Sequence, residues 1–271
     1  MLDSLIITLR ETLEASLLIS FLLVLSKNQK ITFFWLFYSL FFGTALAFIV
    51  SEYMPQISDS FDGTGQEILF SGVLSSISII LLIIHFYFGP LNMTHSNVSH
   101  IFYPYLIIIA VLLAISLEGA EIIIYIQSQL FVKQQIYSSV TGSLLGLGIG
   151  ISTAVLTYYF LTQVISQYAR IISRIFISLI SAGMASQSLT YLMQAGIIEN
   201  GQAIWNTNWI LSETSVTGQL LYALIGYESS PTVLQFIIYS LILALSFLLP
   251  IIFYQFSFRL RGHQNVNDSS L

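Results

Sequence analysis

The chain has 271 residues, 56% of them hydrophobic and only 8% charged, with a mean hydropathy of +0.85. A soluble domain carries roughly 25% charged residues, so neither a water-facing globular surface nor a disordered chain fits, and a polytopic membrane protein remains. The net charge of −5 leaves no electrostatic footprint for nucleic acid, and the absence of cysteine excludes disulfides, thiolate metal sites and cysteine nucleophiles.

A helix needs about 20 apolar residues to cross a bilayer, and seven segments supply them. Residues 2–26 form the first, with Arg10, Glu11 and Glu14 inside it. It reads as a retained helix rather than a leader, because it lacks a basic n-region and a small-residue cleavage site. Residues 31–51 form the second, and a loop bearing Glu52, Asp59 and Asp62 follows. The third, 67–89, opens on Glu67 and carries His85 near its end, a lone histidine that reads as a packing or hydrogen-bonded residue. His95 and His100, in and beside the next loop, are candidates for a metal relay on the exit side. The fourth span, 101–130, contains Glu118 and Glu121. In the fifth, 136–166, Gly142, Gly146, Gly148 and Gly150 allow close helix approach; no lysine follows them, so they are not a phosphate loop. The sixth span is 171–196. Residues 215–226 are apolar but too short to cross, and predict a re-entrant or interfacial piece. The seventh span, 231–258, precedes a short tail, 259–271.

Lys27, Lys30, Arg170, Arg174, Arg259 and Arg261 flank one set of span ends, against Lys133 alone in the opposite set. The excess of basic residues on the cytoplasmic side predicts the N-terminus outside and the C-terminus inside. Glu52, Asp59, Asp62, Glu199, Glu213 and Glu228 then lie outside. A general shortage of basic residues in translocated loops accounts for this. So does an acidic vestibule that concentrates cations, with Glu52, Asp59, Asp62 and Glu228 as its rim.

Five charges lie where the bilayer should forbid them: Arg10, Glu11, Glu14, Glu118 and Glu121. Each costs about 2.5–3.5 kcal/mol at mid-helix unless compensated. The two glutamate pairs are both spaced i,i+3, which puts each pair on one helix face. Turned inward together, the four carboxylates offer hard oxygen ligands suited to a highly charged iron ion. A purely structural ion-pair network is the alternative, but one arginine cannot balance four glutamates. Arg10 precedes Glu14 in the less favourable order for a helix pair, and reads as a tether for carboxylates.

The stretch Arg10-Glu11-Thr12-Leu13-Glu14 recurs as Leu117-Glu118-Gly119-Ala120-Glu121, 107 residues on. Each copy opens a group of three spans, so the second group enters the membrane from the opposite side. The predicted architecture is all-α: a 3+3 inverted repeat (1–89 and 101–196) plus a seventh helix, forming one permease domain over residues 1–258. A site between inverted halves is a recurrent plan of secondary transporters.

On these residues the chain resembles the oxidase-dependent iron transporter family, which includes the fungal high-affinity iron permease and the bacterial permease subunit of ferrous-iron uptake systems. That family carries two Arg-Glu-Gly-Leu-Glu motifs, in spans 1 and 4 of seven. The likeness extends through Gln66-Glu67-Ile68-Leu69-Phe70, the glycines of 142–150 and Leu224-Ile225-Gly226-Tyr227-Glu228. Thr12 stands in place of a family glycine and Leu117 in place of the second arginine, which removes one cation from the site. The resemblance implies iron as the transported ion with no organic cofactor, Glu11, Glu14, Glu118 and Glu121 as its ligands, and Arg10 and Glu67 in support. It further implies a multi-pass protein of the plasma membrane, a bacterial inner membrane by preference, and an extracytoplasmic partner that binds or oxidises iron. Two rival readings stand beside it. One is a permease for another divalent cation such as manganese. The other is an intramembrane di-iron carboxylate oxidoreductase, which needs Glu-x-x-His pairs that neither motif supplies.

Overall fold

The computed structural model describes residues 1–28, 33–87, 97–130, 136–164 and 166–248. Seven helices come first: α1 (Leu2–Asn28), α2 (Phe34–Asp59), α3 (Gly65–Tyr87), α4 (Asn97–Leu130), α5 (Ile136–Gln163), α6 (Ser166–Gln194) and α7 (Val216–Ile225). They are followed by α8 (Val233–Leu248). The predicted spans fall on α1–α6 and α8, and the short apolar segment is α7. By length and composition α2 to α6 are able to cross a membrane. α1 is as long, but Asp3, Arg10, Glu11 and Glu14 interrupt its apolar run. Lys30, His95, Lys133, Arg259, Arg261, Asp268 and the tail lie outside the described residues.

α2 runs eight residues past the predicted end of its span. The apolar run stops at Ser51, but Met54 is buried and Ile57 packs against the core, so tertiary contact extends the helix where composition alone does not. Asp62 and Gly63, both at positive φ, then turn the chain into α3. α7 is bounded by local chemistry. The Ser215 hydroxyl caps its start by accepting from Gly218 N, and Gly226 ends it in the left-handed conformation at φ 65°, which glycine adopts without steric cost.

α1 and α4 run through the middle. Leu9, Leu13, Leu17, Leu18, Phe21, Leu22 and Leu25 of α1, and Ile107, Ala110, Val111 and Ala114 of α4, are all buried. α2 and α5 lie outside them and present Phe37, Phe41, Phe48, Leu144, Leu156 and Phe160 outward, each at 64–71% exposure. Apolar surface of that extent suits lipid rather than water.

The strongest helix pairs are α1 with α5, α2 with α4, and α3 with α6; weaker ones join α1 to α4 and α6, and α3 to α4. Exchanging α1–α3 for α4–α6 leaves this set unchanged. The correspondence reaches single residues. A Cβ on Gly146 of α5 would meet Leu5 O at 2.7 Å and Thr8 Cβ at 3.2 Å; one on Gly43 of α2 would meet Leu112 O at 3.2 Å and Ile115 Cβ at 2.9 Å. Moving α5 back by 103 positions and α1 forward by 107 converts the first set into the second. The same shifts carry Gly142, which lies against Met1 O, onto Ser39, whose hydroxyl donates to Ile108 O at 3.3 Å. They also carry Gly150 against Thr12 onto Ala47 against Gly119. Bulk has swapped sides there: the larger residue is on α1 in one half and on α2 in the other, so both interfaces close. Between α3 and α6, Ser78 and Ser181 are themselves 103 apart. Each hydroxyl donates to the other's carbonyl, at 2.8 and 2.9 Å.

Candidate metal centre

Both glutamate motifs sit on the central helices, and helical spacing turns each pair of carboxylates inward. Carboxylate oxygens of Glu11, Glu118 and Glu121 lie within 4.8 Å of one another. Glu11 and Glu118 are 3% and 2% exposed, and Glu14 is 5% exposed. Neither oxygen of Glu118, nor Oε2 of Glu11, has a hydrogen-bond partner among the described residues. Buried carboxylate oxygens without donors are costly, and a cluster of this kind can hold a cation or take up protons.

The fourth glutamate stands apart from this trio. Arg10 Nε lies 3.3 Å from Glu14 Oε1 and 3.9 Å from Glu11 Oε1. Its other end reaches α7: Nη2 donates to the Tyr222 hydroxyl at 3.2 Å, and the guanidinium lies 4.6 Å from that ring's centre. Arg10 thus links Glu14 of its own helix to Tyr222 of α7. Glu121 receives instead a short hydrogen bond from Tyr191 of α6, at 2.6 Å.

A cavity of about 490 Å³ leads to the cluster from the end of the bundle that carries residues 195–232. Arg10, Glu121, Gln187, Tyr191, Glu213, Tyr222 and Glu228 are among its walls. Of the predicted rim, Glu228 lines this cavity, whereas Glu52, Asp59 and Asp62 are exposed elsewhere on the surface. Glu228 sits opposite Glu213, and burial together with that neighbouring charge pushes its carboxyl up to about 7. The Ser186 hydroxyl, at 3.4 Å, works against the shift. Glu213 is fixed by the backbone amide of Ser229. Glu67 lies in the first turn of α3, where a carboxylate suits the helix dipole; its buried Oε2 has no hydrogen-bond partner among the described residues, and it is not one of the clustered three.

On the far side of the cluster the described residues pack tightly. Phe21 of α1 stacks on Phe176 of α6 with ring centres 4.9 Å apart, and Leu17, Leu18, Leu81 and Ile177 are buried around that level. His85 does not join the carboxylates: its Nδ1 lies 3.1 Å from Arg174 O and its Nε2 3.4 Å from the Arg174 guanidinium. That matches the hydrogen-bonded role expected of it. The side chain of His100 lies outside the described residues.

Tyr191, Gln187 and Tyr222 escaped the reading of the sequence. The signal for the first two was present, since Gln187, Thr190, Tyr191 and Gln194 follow an i, i+3, i+4, i+7 pattern that makes one polar stripe on an apolar helix. Tyr222 had no such signal; it is brought in by the packing of α7 on α1 and α6.

A family model described as the iron permease FTR1 family matches residues 1–261. Among curated proteins and solved structures, none matches the chain.

Proposed function

We propose that this chain, which belongs to the iron permease FTR1 family, carries iron inward across a membrane through the glutamates of α1 and α4. The observation that carries this reading is the convergence of Glu11, Glu118 and Glu121, with unpartnered buried oxygens on the first two and Glu121 among the walls of an open cavity. Hard carboxylate oxygens replace the water shell of the ion, and the charge of the ion offsets carboxylates that would otherwise repel one another. Glu228 and Glu213 gather the cation in the cavity, with the more distant Glu52, Asp59 and Asp62 adding to the field around the mouth. Glu121 takes it over, Glu11 and Glu118 complete the site, and Glu14 joins when Arg10 releases it. Glu67 supports the path from α3.

The residue-by-residue correspondence between α1–α3 and α4–α6 supports an inverted repeat, 1–89 against 101–196, with the seventh span outside it and one permease domain over 1–258. In such a pair the site lies between the halves, and rocking one against the other exposes it to each side in turn. The cavity on one side and the Phe21–Phe176 stack on the other then correspond to a state open to the outside. The distribution of Lys and Arg supports an N-terminus outside and a C-terminus inside, in a plasma membrane, with a bacterial inner membrane the preferred setting. A partner outside the cell that binds or oxidises iron would load the cavity; iron is cargo, and no organic cofactor is needed for this cycle.

Uptake of ⁵⁵Fe into proteoliposomes, with the iron clamped reduced or oxidised and with Mn²⁺ and Zn²⁺ as competitors, tests the proposal. Saturable iron uptake that is lost in Glu11→Ala is expected. Uptake by that variant equal to wild type refutes the site, and preferential flux of Mn²⁺ refutes iron as the cargo.

A further inference from the structure

Glu14 and Glu121 hold corresponding positions on α1 and α4, 107 residues apart, yet they are held in different ways. One turn before Glu14 stands Arg10, at 3.3 Å. One turn before Glu121 stands Leu117, buried and without a polar group. The hydroxyl of Tyr191, from a different helix, reaches Glu121 at 2.6 Å. Its ring is fixed edge-on against Phe70, with centres 5.6 Å apart and planes at 86°. Both Tyr191 and Glu121 face the 490 Å³ cavity, whereas Glu11, Glu14 and Glu118 do not line it.

A cationic tether repels an arriving cation; a neutral donor does not. We infer that Tyr191 is the positioning residue of Glu121, filling with a neutral donor the place that Arg10 fills at Glu14. Glu121, held by Tyr191, is then the first ligand an ion meets on leaving the cavity. The missing arginine of the second motif is compensated in geometry but not in charge, which leaves the α4 half of the site more negative than the α1 half. This rests on the iron-permease reading of the carboxylate cluster.

The test is equilibrium binding of ⁵⁵Fe to the purified full chain in detergent, once under ascorbate and once as ferric citrate. Tyr191→Phe keeps the ring against Phe70, so a folded apo chain with unchanged binding capacity is expected, with affinity about tenfold weaker, as for loss of a hydrogen bond to a charged group. Glu121→Asp withdraws the carboxylate from the phenol while keeping its charge. In that background Tyr191→Phe is expected to change affinity less than about twofold, because the two groups act as a unit. Wild-type affinity in Tyr191→Phe, a further tenfold loss in the Glu121→Asp background, or a fall in capacity rather than affinity overturns the inference. Glu118→Gln separates the two levels. If it binds iron as wild type does, the reading of the whole cluster fails; if it loses binding while Tyr191→Phe does not, the role of Tyr191 alone is refuted.

Discussion

Replacing Glu118 by Gln should make the empty protein more stable and the permease inactive. Two unit charges 4.8 Å apart repel by about 3.5 kcal/mol at an effective dielectric constant of about 20, and Glu118 has two such neighbours. The relief is capped, because a carboxylate of ordinary pKa can take up a proton at pH 7 for about 3.7 kcal/mol. Allowing for partial protonation, the amide is expected to stabilise the apo chain by about 1–3 kcal/mol, or ~3–9 °C in melting temperature for a chain of this size. Iron binding moves the other way. Removing one charged partner from a buried set costs about 3–5 kcal/mol, which weakens affinity between a hundredfold and a few thousandfold. Differential scanning fluorimetry of the detergent-solubilised protein, with and without iron, reads both effects, and proteoliposome uptake reads the consequence. An apo melting temperature below wild type would refute the electrostatic argument. A half-saturation concentration within threefold of wild type would refute the assignment of the site.

The interface between α1 and α5 offers a second prediction. A Cβ on Gly150 would meet Thr12 Cγ2 at 2.5 Å, so Gly150→Ala should cost about 1–3 kcal/mol by overpacking, read as a fall in melting temperature; adding Thr12→Gly should restore it, because the pair then copies Gly119 and Ala47 in the other half. Ser78→Ala and Ser181→Ala should lower the melting temperature equally, each removing one of two reciprocal hydrogen bonds worth about 1 kcal/mol, and a clear inequality would count against the correspondence. Glu228 gives a pH dependence. Its carboxyl is raised from 4.5 to about 7, so the folded chain holds this proton more tightly than the unfolded one, and stability declines as pH rises from 4.5 through 7. The negative form that attracts cations is gained over the upper part of that window. Uptake at low iron should therefore climb between pH 6 and 8, and Glu228→Gln should flatten the climb; an unchanged profile in that variant would dismiss Glu228 as part of the path.

How much of the site was legible in the sequence follows from what bilayers forbid. Charge is so scarce in this chain that Arg10, Glu11, Glu14, Glu118 and Glu121 declare themselves by position, and i,i+3 spacing alone assigns each pair to one face. The repeat was legible at the motifs and nowhere else: Glu11 and Glu14 mark the shift of 107 to Glu118 and Glu121, whereas Gly146 aligns with Gly43 only after a shift of 103 that no run of identical residues marks. The length of α2 was not legible, since Met54 and Ile57 extend it by tertiary packing.

The amino-acid sequence by itself determined that this chain is a helical membrane protein with carboxylates in the wrong solvent, because hydropathy and helical periodicity act over a few turns of one chain. Only the tertiary structure decided which carboxylates meet. It gathers Glu11, Glu118 and Glu121, gives Glu14 to Arg10 and Glu121 to Tyr191, and brings Glu228 to the cavity while leaving Glu52, Asp59 and Asp62 on the surface. The spacing of residues along one helix fixes which face they share, but not which face of another helix arrives opposite. That depends on where Gly142, Gly146 and Gly150 let α5 touch α1, and where α7 lays Tyr222 against Arg10.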